Sequence, residues 1–335
     1  MHSVAELEDK LSEPSAALSA DLAALDGDIL VLGAGGKLGP SLTRLALRAV
    51  HGSKTVTAVS RFSDKAAADE LAKAGARIVS ADITDEAALA TLPDARNIVF
   101  LVGSKFGSTG READTWYTNA YLPGRVAERY KGSRIVALST GNVYAFTPVG
   151  SGGPTEETSP GPVGEYAMSC LGRERVMSRF AQRNGTPLAI IRLNYAVEMR
   201  YGVLIDIARA VLSQTPVDVT MSAVNVVWQG YANEVVLRSF AHATPDPFIL
   251  NVAGPETLSV RHLATEFGRI LGIEPIFAGS EAPNALLSNS GKCIRLFGYP
   301  GVPLGQVMEW TAHWVKEGLP LLGKPTGFQK RDGKF

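Results

Sequence analysis

Three glycines spaced three apart, Gly33, Gly36 and Gly39, follow the apolar run Ile29-Leu30-Val31-Leu32 and open a helical stretch that reaches Val50. The segment Gly33-Ala34-Gly35-Gly36-Lys37-Leu38-Gly39 fits G-x-x-G-x-x-G; read as G-x-G-x-x-G, its third glycine position would hold Leu38. Both spacings meet the same demand. A tight turn needs residues without Cβ, the backbone must come close to a pyrophosphate, and a helix N-terminus must aim its free N–H groups at that charge. A strand before and a helix after are the context this motif requires. Gly33, Gly35, Gly36, Lys37, Leu38 and Gly39 are therefore candidate dinucleotide contacts. The second strand ends Ala58-Val59-Ser60-Arg61-Phe62, with no acid before Asp64. An acid there would hold a ribose 2′-OH, whereas Arg61 pairs with a 2′-phosphate and Ser60 donates to it. This predicts NADP as the cofactor, with NAD as the alternative; the plain reading of Arg61 is a solvated surface cation.

The rest of the composition narrows the chemistry. The two cysteines, Cys170 and Cys293, form no disulfide framework and no CxxC or Cys/His cluster, so no metal site is predicted. Lys+Arg and Asp+Glu both number 33, which leaves no basic footprint for a nucleic acid. Apolar runs are a few residues long, against the roughly 20 needed to span a bilayer. Met1 to Lys10 is acidic, without the apolar core or cleavage site of an export signal, and the expected location is cytoplasmic.

The elements that must position these residues read as alternating strands and helices. Strands are predicted at Ile29–Leu32, Thr55–Ser60, Arg77–Val79, Asn97–Val102, Arg134–Leu138 and Leu188–Leu193, and helices at Leu38–Val50, Ala66–Ala74, Asp85–Leu92, Thr115–Tyr130 and Tyr166–Phe180. Strands without polar alternation, separated by helices, describe a parallel sheet covered on both faces. The predicted fold is α/β: a Rossmann-type doubly wound parallel sheet with a small mixed C-terminal lobe. Its expected divisions are an N-terminal helical extension over 1–26, a dinucleotide-binding domain over 27–190 with return segments near 222–253, and a mainly substrate-binding lobe over 191–335. In that lobe, helices are expected at Tyr201–Leu212, Asn233–His242, Val260–Leu271 and Leu304–Glu317, with strand-like pieces at Ala223–Val227 and Phe248–Val252.

Several segments in order give the chain a family resemblance: the GAGGKLG loop, Ser80-Ala81-Asp82-Ile83, Ser139-Thr140-Gly141-Asn142-Val143-Tyr144, Arg192-Leu193-Asn194-Tyr195 and Asn251-Val252-Ala253-Gly254-Pro255-Glu256. Over about residues 28–318 the chain resembles the extended short-chain dehydrogenase/reductase superfamily, the NAD-dependent epimerase/dehydratase family. The resemblance implies that Asp82 and Ile83 contact the adenine, that Val102 and Gly103 line the cofactor, and that Asn194 lies at the nicotinamide end. It implies that Thr140 hydrogen-bonds the reacting oxygen and that Tyr166 exchanges the proton while a hydride moves. It also implies a small-molecule substrate, most commonly a nucleotide sugar, and a homodimer formed through the helices at Thr115–Tyr130 and Tyr166–Phe180.

One position departs from the family. The motif Y-x-x-x-K is here Tyr166-Ala167-Met168-Ser169-Cys170. Spacing of four puts both side chains on one helical face, where the family lysine lends positive charge to the tyrosine. A phenol titrates near 10 unaided, and Cys170 supplies no cation. Arg173, Arg192 or Lys105 could substitute; the oxidised nicotinamide's charge or a different base could serve; or the fold could bind cofactor without turnover, as a sensor or scaffold. Cys170 is also a candidate nucleophile, with a small packing residue as the plain reading. Glu156, Glu157, Arg200, Gln229 and Arg295 are polar candidates for substrate contact, and Trp228 stands where the family often carries an acidic helix cap.

Overall fold

The inner strands of the central sheet carry apolar residues that point to both faces, so both faces need cover, and both receive it. The computed structural model describes residues 1–105, 107, 109–324 and 326–334. Its sheet comprises β1 (Ile29–Leu32), β2 (Val56–Ser60), β3 (Arg77–Ser80), β4 (Asn97–Phe100), β5 (Arg134–Thr140), β6 (Leu188–Leu193) and β7 (Phe248–Val252). The strands are all parallel, in the order β7-β6-β5-β4-β1-β2-β3. The order reverses between β1 and β4, which opens a crevice at the C-terminal ends of those strands.

Alternate residues of each strand feed two cores. Leu30, Leu32, Ile98, Phe100, Ile135 and Ile190 pack with Leu89 of α5 (Glu86–Thr91), Leu122 and Val126 of α7 (Leu122–Arg129) and Met177 of α8 (Glu165–Asn184). Ile29, Val31, Val99, Val136 and Ile191 pack on the opposite face with α3 (Gly39–Val50) and α10 (Gln229–Arg238). That second core also takes in Leu7 and Leu11 of α1 (Val4–Leu11) and Leu18 and Leu22 of α2 (Ala16–Ala24). α4 (Lys65–Lys73) links β2 to β3, and the rest of the chain adds α9 (Val203–Leu212), α11 (Val260–Leu271), α12 (Gly291–Phe297) and α13 (Leu304–Lys316).

Some boundaries differ from the sequence expectation for physical reasons. The helix expected over Thr115–Tyr130 begins at Glu112 as α6 (Glu112–Trp116), passes through a π-helical turn at Tyr117–Tyr121, and continues as α7. The single strand expected over Ala223–Val227 is two pieces, Ala223–Val224 and Val227–Trp228. Between them Asn225 turns inward and accepts from Asn194 Nδ2 at 3.0 Å while donating to the Ser288 carbonyl at 3.1 Å. Among the described residues no helix is long and apolar enough to cross a membrane, and no group of three or more His, Cys, Asp or Glu could hold a metal ion.

Candidate active site

At the end of β1, Gly33 takes a φ of +93°, a region that favours glycine, and the N–H groups of Gly33 and Ala34 donate to the Val59 carbonyl at 2.9 and 3.1 Å. A Cβ on Gly39 would run into the Ala34 backbone, so the first turn of α3 sits against the loop only because position 39 is glycine. Leu38, the N-cap of α3, makes no side-chain cap. The first N–H groups of α3 are thus left to face whatever lies over the loop, and they suit a pyrophosphate. A Cβ on Gly35 would lie 2.7 Å from Ser60 Oγ, and a Cβ on Gly33 would lie 3.0 Å from Val102 Cγ2. Loop, β2 end and β4 end therefore close around one cradle. At its rim, Arg61 is well exposed and stands 4.0 Å from Asp82. Asp82 accepts from the N–H and hydroxyl of Thr84 at 3.0 and 2.7 Å, and these bonds hold its carboxyl below the usual range. Ile83 is buried in the core beside it.

The far side of the crevice is built by β5 and α8. Thr140 ends β5, and its Oγ1 accepts from the N–H and Nδ2 of Asn142 at 3.2 and 2.9 Å. With both lone pairs used, its own proton is the one directed at the Tyr166 hydroxyl, to which it is hydrogen-bonded. Tyr166 lies in the first turn of α8, behind Gly164, whose φ is +83°. Burial pushes the Tyr166 phenol well above its ordinary value; Cys170 pushes it further, while Thr140 and the Arg173 charge oppose. Cys170 lies on the same helical face, 2% exposed, packed with Val143, Tyr144 and Tyr166. Burial also raises its thiol, a setting that suits packing rather than nucleophilic attack.

The three cations considered as substitutes are separated by the structure. Arg192 is committed: it forms a buried pair with Glu174 at 2.7 Å and donates to the Tyr144 hydroxyl at 2.7 Å. Arg173 is buried, with Nε on the Asn119 carbonyl (3.1 Å), Nη1 on the Leu138 carbonyl (2.5 Å) and Nη2 on Asn119 Oδ1 (3.0 Å). Lys105 faces the cleft, its Nζ 5.9 Å from the Tyr166 ring centroid. Lys37 enters from the glycine loop, donating to the Ala196 carbonyl at 3.1 Å and lying 3.6 Å above the Tyr201 ring. Burial pulls Lys37 down to about 7, against the attraction of buried Glu198.

Lys37, Lys105, Thr140 and Tyr166 share one cavity of about 170 Å³, lined also by Leu38, Asn142, Asn194, Tyr195, Tyr201 and Thr326; Cys170, Arg173 and Arg192 do not line it. Glycine loop, β5 end, α8 start and the residues after β6 thus meet at one cavity. The polar candidates for substrate contact do not line this cavity. Gln229 is buried against Ser41 (3.1 Å), Arg200 pairs with Glu8 (2.6 Å) and Glu198 (3.0 Å), and Glu156 accepts from the Asn251 N–H (2.8 Å). Glu157 and Arg295 are exposed, and Trp228 is buried edge-on to Trp310, at 5.8 Å. Two contributors escaped the sequence reading. Asn119, fully buried in the π turn, accepts from the Ser104 N–H and donates to its carbonyl, both at 2.8 Å; an amide inside an otherwise apolar helical face was its only signal. Thr326 belongs to a segment without periodicity. It reaches the cavity because its N–H and hydroxyl both donate to Asp206 Oδ2, at 2.9 and 2.6 Å.

The model of the NAD dependent epimerase/dehydratase family matches residues 29–198. No curated protein matches the chain. Among solved structures, UDP-glucuronic acid 4-epimerase from Bacillus cereus in complex with NAD is 18% identical with a TM-score of 0.72, covering 87% of this chain and 99% of that one. DesIV, a dTDP-glucose 4,6-dehydratase from Streptomyces venezuelae with NAD bound, is 20% identical with a TM-score of 0.73, covering 87% and 97%. UDP-glucose 4-epimerase from Thermotoga maritima with UDP-glucose is 18% identical with a TM-score of 0.68, covering 87% and 99%. At these identities the likeness establishes the fold.

Proposed function

The chain belongs to the NAD dependent epimerase/dehydratase family, and from that membership we propose that it is a nicotinamide-dinucleotide-dependent enzyme acting on a hydroxyl or carbonyl carbon of a nucleotide sugar or related small molecule. The observation that carries this reading is the single cavity shared by the glycine loop, through Lys37 and Leu38, and the Thr140–Tyr166 pair. The UDP-sugar and dTDP-sugar enzymes among the structural neighbours support the substrate class.

In this reading the glycine loop and the start of α3 hold the pyrophosphate. Asp82 and Ile83 meet the adenine, Val102 and Gly103 lie beneath the cofactor, and Asn194 lies toward its nicotinamide. The bound dinucleotide takes up or returns a hydride. Tyr166 exchanges the proton with the substrate oxygen, and Thr140 donates to the phenol, which favours its charged form. Residues 191–335 carry most of the substrate recognition. NADP is the preferred form, through Ser60 and Arg61. The second reading, a cofactor-binding sensor or scaffold, draws on the buried Cys170 where the family carries lysine.

A screen of nucleotide sugars and small carbonyl compounds with NAD(H) and NADP(H) tests the proposal. Turnover is expected in wild type, with Tyr166→Phe lowering kcat by roughly 10²–10⁴ and cofactor affinity nearly unchanged. Turnover undiminished in Tyr166→Phe would remove Tyr166 from the mechanism. No turnover, with partner binding that follows cofactor redox state, would favour the sensor.

A further inference from the structure

A buried phenol that must give up its proton near neutral pH needs a positive charge close by, and position 170 provides none. We propose that Lys105 supplies that charge from the opposite wall of the cleft, as a positioning residue for Tyr166 relocated from α8 to the segment after β4. This rests on the enzymatic reading above.

Three observations carry it. First, Lys105 Nζ lies 5.9 Å from the Tyr166 ring centroid and shares the cavity with Tyr166, Thr140 and Asn142. Second, the backbone that delivers it is clamped. Asn119 binds both the N–H and the carbonyl of Ser104, the residue just before Lys105, at 2.8 Å each. Asn119 is itself fixed by Arg173 at 3.0 Å and by Ser169 Oγ at 3.0 Å. Gly103 completes the clamp, since a Cβ there would lie 2.9 Å from Arg173 Nη2 and 3.3 Å from Asn119 Oδ1. A residue whose neighbour is held by a buried amide is aimed by the fold. Third, the other cations are held on partners of their own. The three nitrogens of Arg173 donate to backbone or amide oxygens, so its charge acts on Tyr166 from within α8 and not from the cavity, Arg192 is paired with Glu174, and Lys37 lies over the Tyr201 ring.

The groups facing Lys105 fit this role. Burial and the nearby Lys330 pull its ammonium down to about 8, while Cys170 on α8 favours its charged form. Lys37 adds positive charge from the glycine loop, balanced by Glu198, and Arg173 acts on Tyr166 and Cys170 from within α8. The ammonium is thus mostly charged at neutral pH, beside the thiol that stands where a lysine would otherwise begin.

The test compares wild type, Lys105→Met, Cys170→Lys and the double variant, each checked for native circular dichroism. A fluorotyrosine built in at position 166 reports the phenol titration by fluorine NMR without any need for turnover. Lys105→Met should raise that midpoint by about one unit and, where a substrate has been found, lower the rate in the direction that needs the phenolate about tenfold near neutral pH. Adding Cys170→Lys to Lys105→Met should bring the midpoint back, whereas Cys170→Lys alone should do no better than wild type because two ammonium groups then compete for one space. An unchanged midpoint in Lys105→Met, or a folded double variant that fails to restore it, overturns the proposal. A shifted midpoint in a protein that turns over no substrate would instead leave Lys105 in place and sink the enzymatic reading.

Discussion

Arg61 and Asp82 stand 4.0 Å apart at the exposed rim of the cradle, a pair whose mutual attraction is worth at most about 1 kcal/mol. Arg61 is therefore available to a 2′-phosphate at little cost in lost pairing. Arg61→Ala should weaken NADP(H) tenfold or more in calorimetric titration and leave NAD(H) within about twofold; equal losses for both would assign Arg61 to the general rim. Across the cleft, the raised phenol of Tyr166 has a direction to its pH dependence. A group whose proton is held tightly stays a competent acid through the neutral range and becomes a base only as pH rises. Carbonyl reduction should then be nearly flat between about pH 6 and 8, and alcohol oxidation should climb close to tenfold per unit. Rate profiles measured in both directions check this, and an oxidation rate independent of pH in that range would count against Tyr166 as the base.

The strands and the glycine loop were legible because each is written in a few adjacent residues: four consecutive aliphatics before Gly33, and glycines where backbone must touch backbone. Asn119 was not, because its meaning depends on Ser104, Ser169 and Arg173, which come together only when α6, α7 and α8 pack at the end of β4. Lys105 could be named as a candidate, but its aim depends on that same clamp. The two-residue strand pieces carry no period that a pattern can detect. The helical surface of α6–α8 leads to a prediction of its own. Trp116, Tyr117 and Tyr121 are exposed on it, beside Val176 and Phe180, in a groove that is almost wholly apolar. We propose that a second copy covers it, as the family resemblance implies. Sedimentation should give a dimer at micromolar concentration, and Tyr121→Glu should give a monomer with an unchanged far-ultraviolet spectrum; a wild-type monomer would refute the interface.

At the scale of the whole molecule, both ends of the chain are fastened to the rest of the fold. α1 and α2 are tied down through Glu8 to Arg200 at 2.6 Å and Asp21 to Arg238 at 2.7 Å. The tail beyond α13 crosses the cleft: Thr326 bonds Asp206, Phe328 is buried, and Arg331 lies 4.4 Å from the centre of the Phe146 ring and donates to the Asn284 carbonyl at 3.0 Å. A chain ending at Leu322 should show a lower Tm by several degrees and bind bulky nucleotide sugars more readily than wild type; unchanged stability and unchanged selectivity would mean the tail contributes to neither. The tail also comes backbone to backbone, since a Cβ on Gly164 would lie 2.5 Å from the Gly333 carbonyl oxygen. During synthesis the chain emerges from its N-terminus, so the glycine loop, the end of β5 and the start of α8 are all made before residues 326–334, the wall that comes to lie against them.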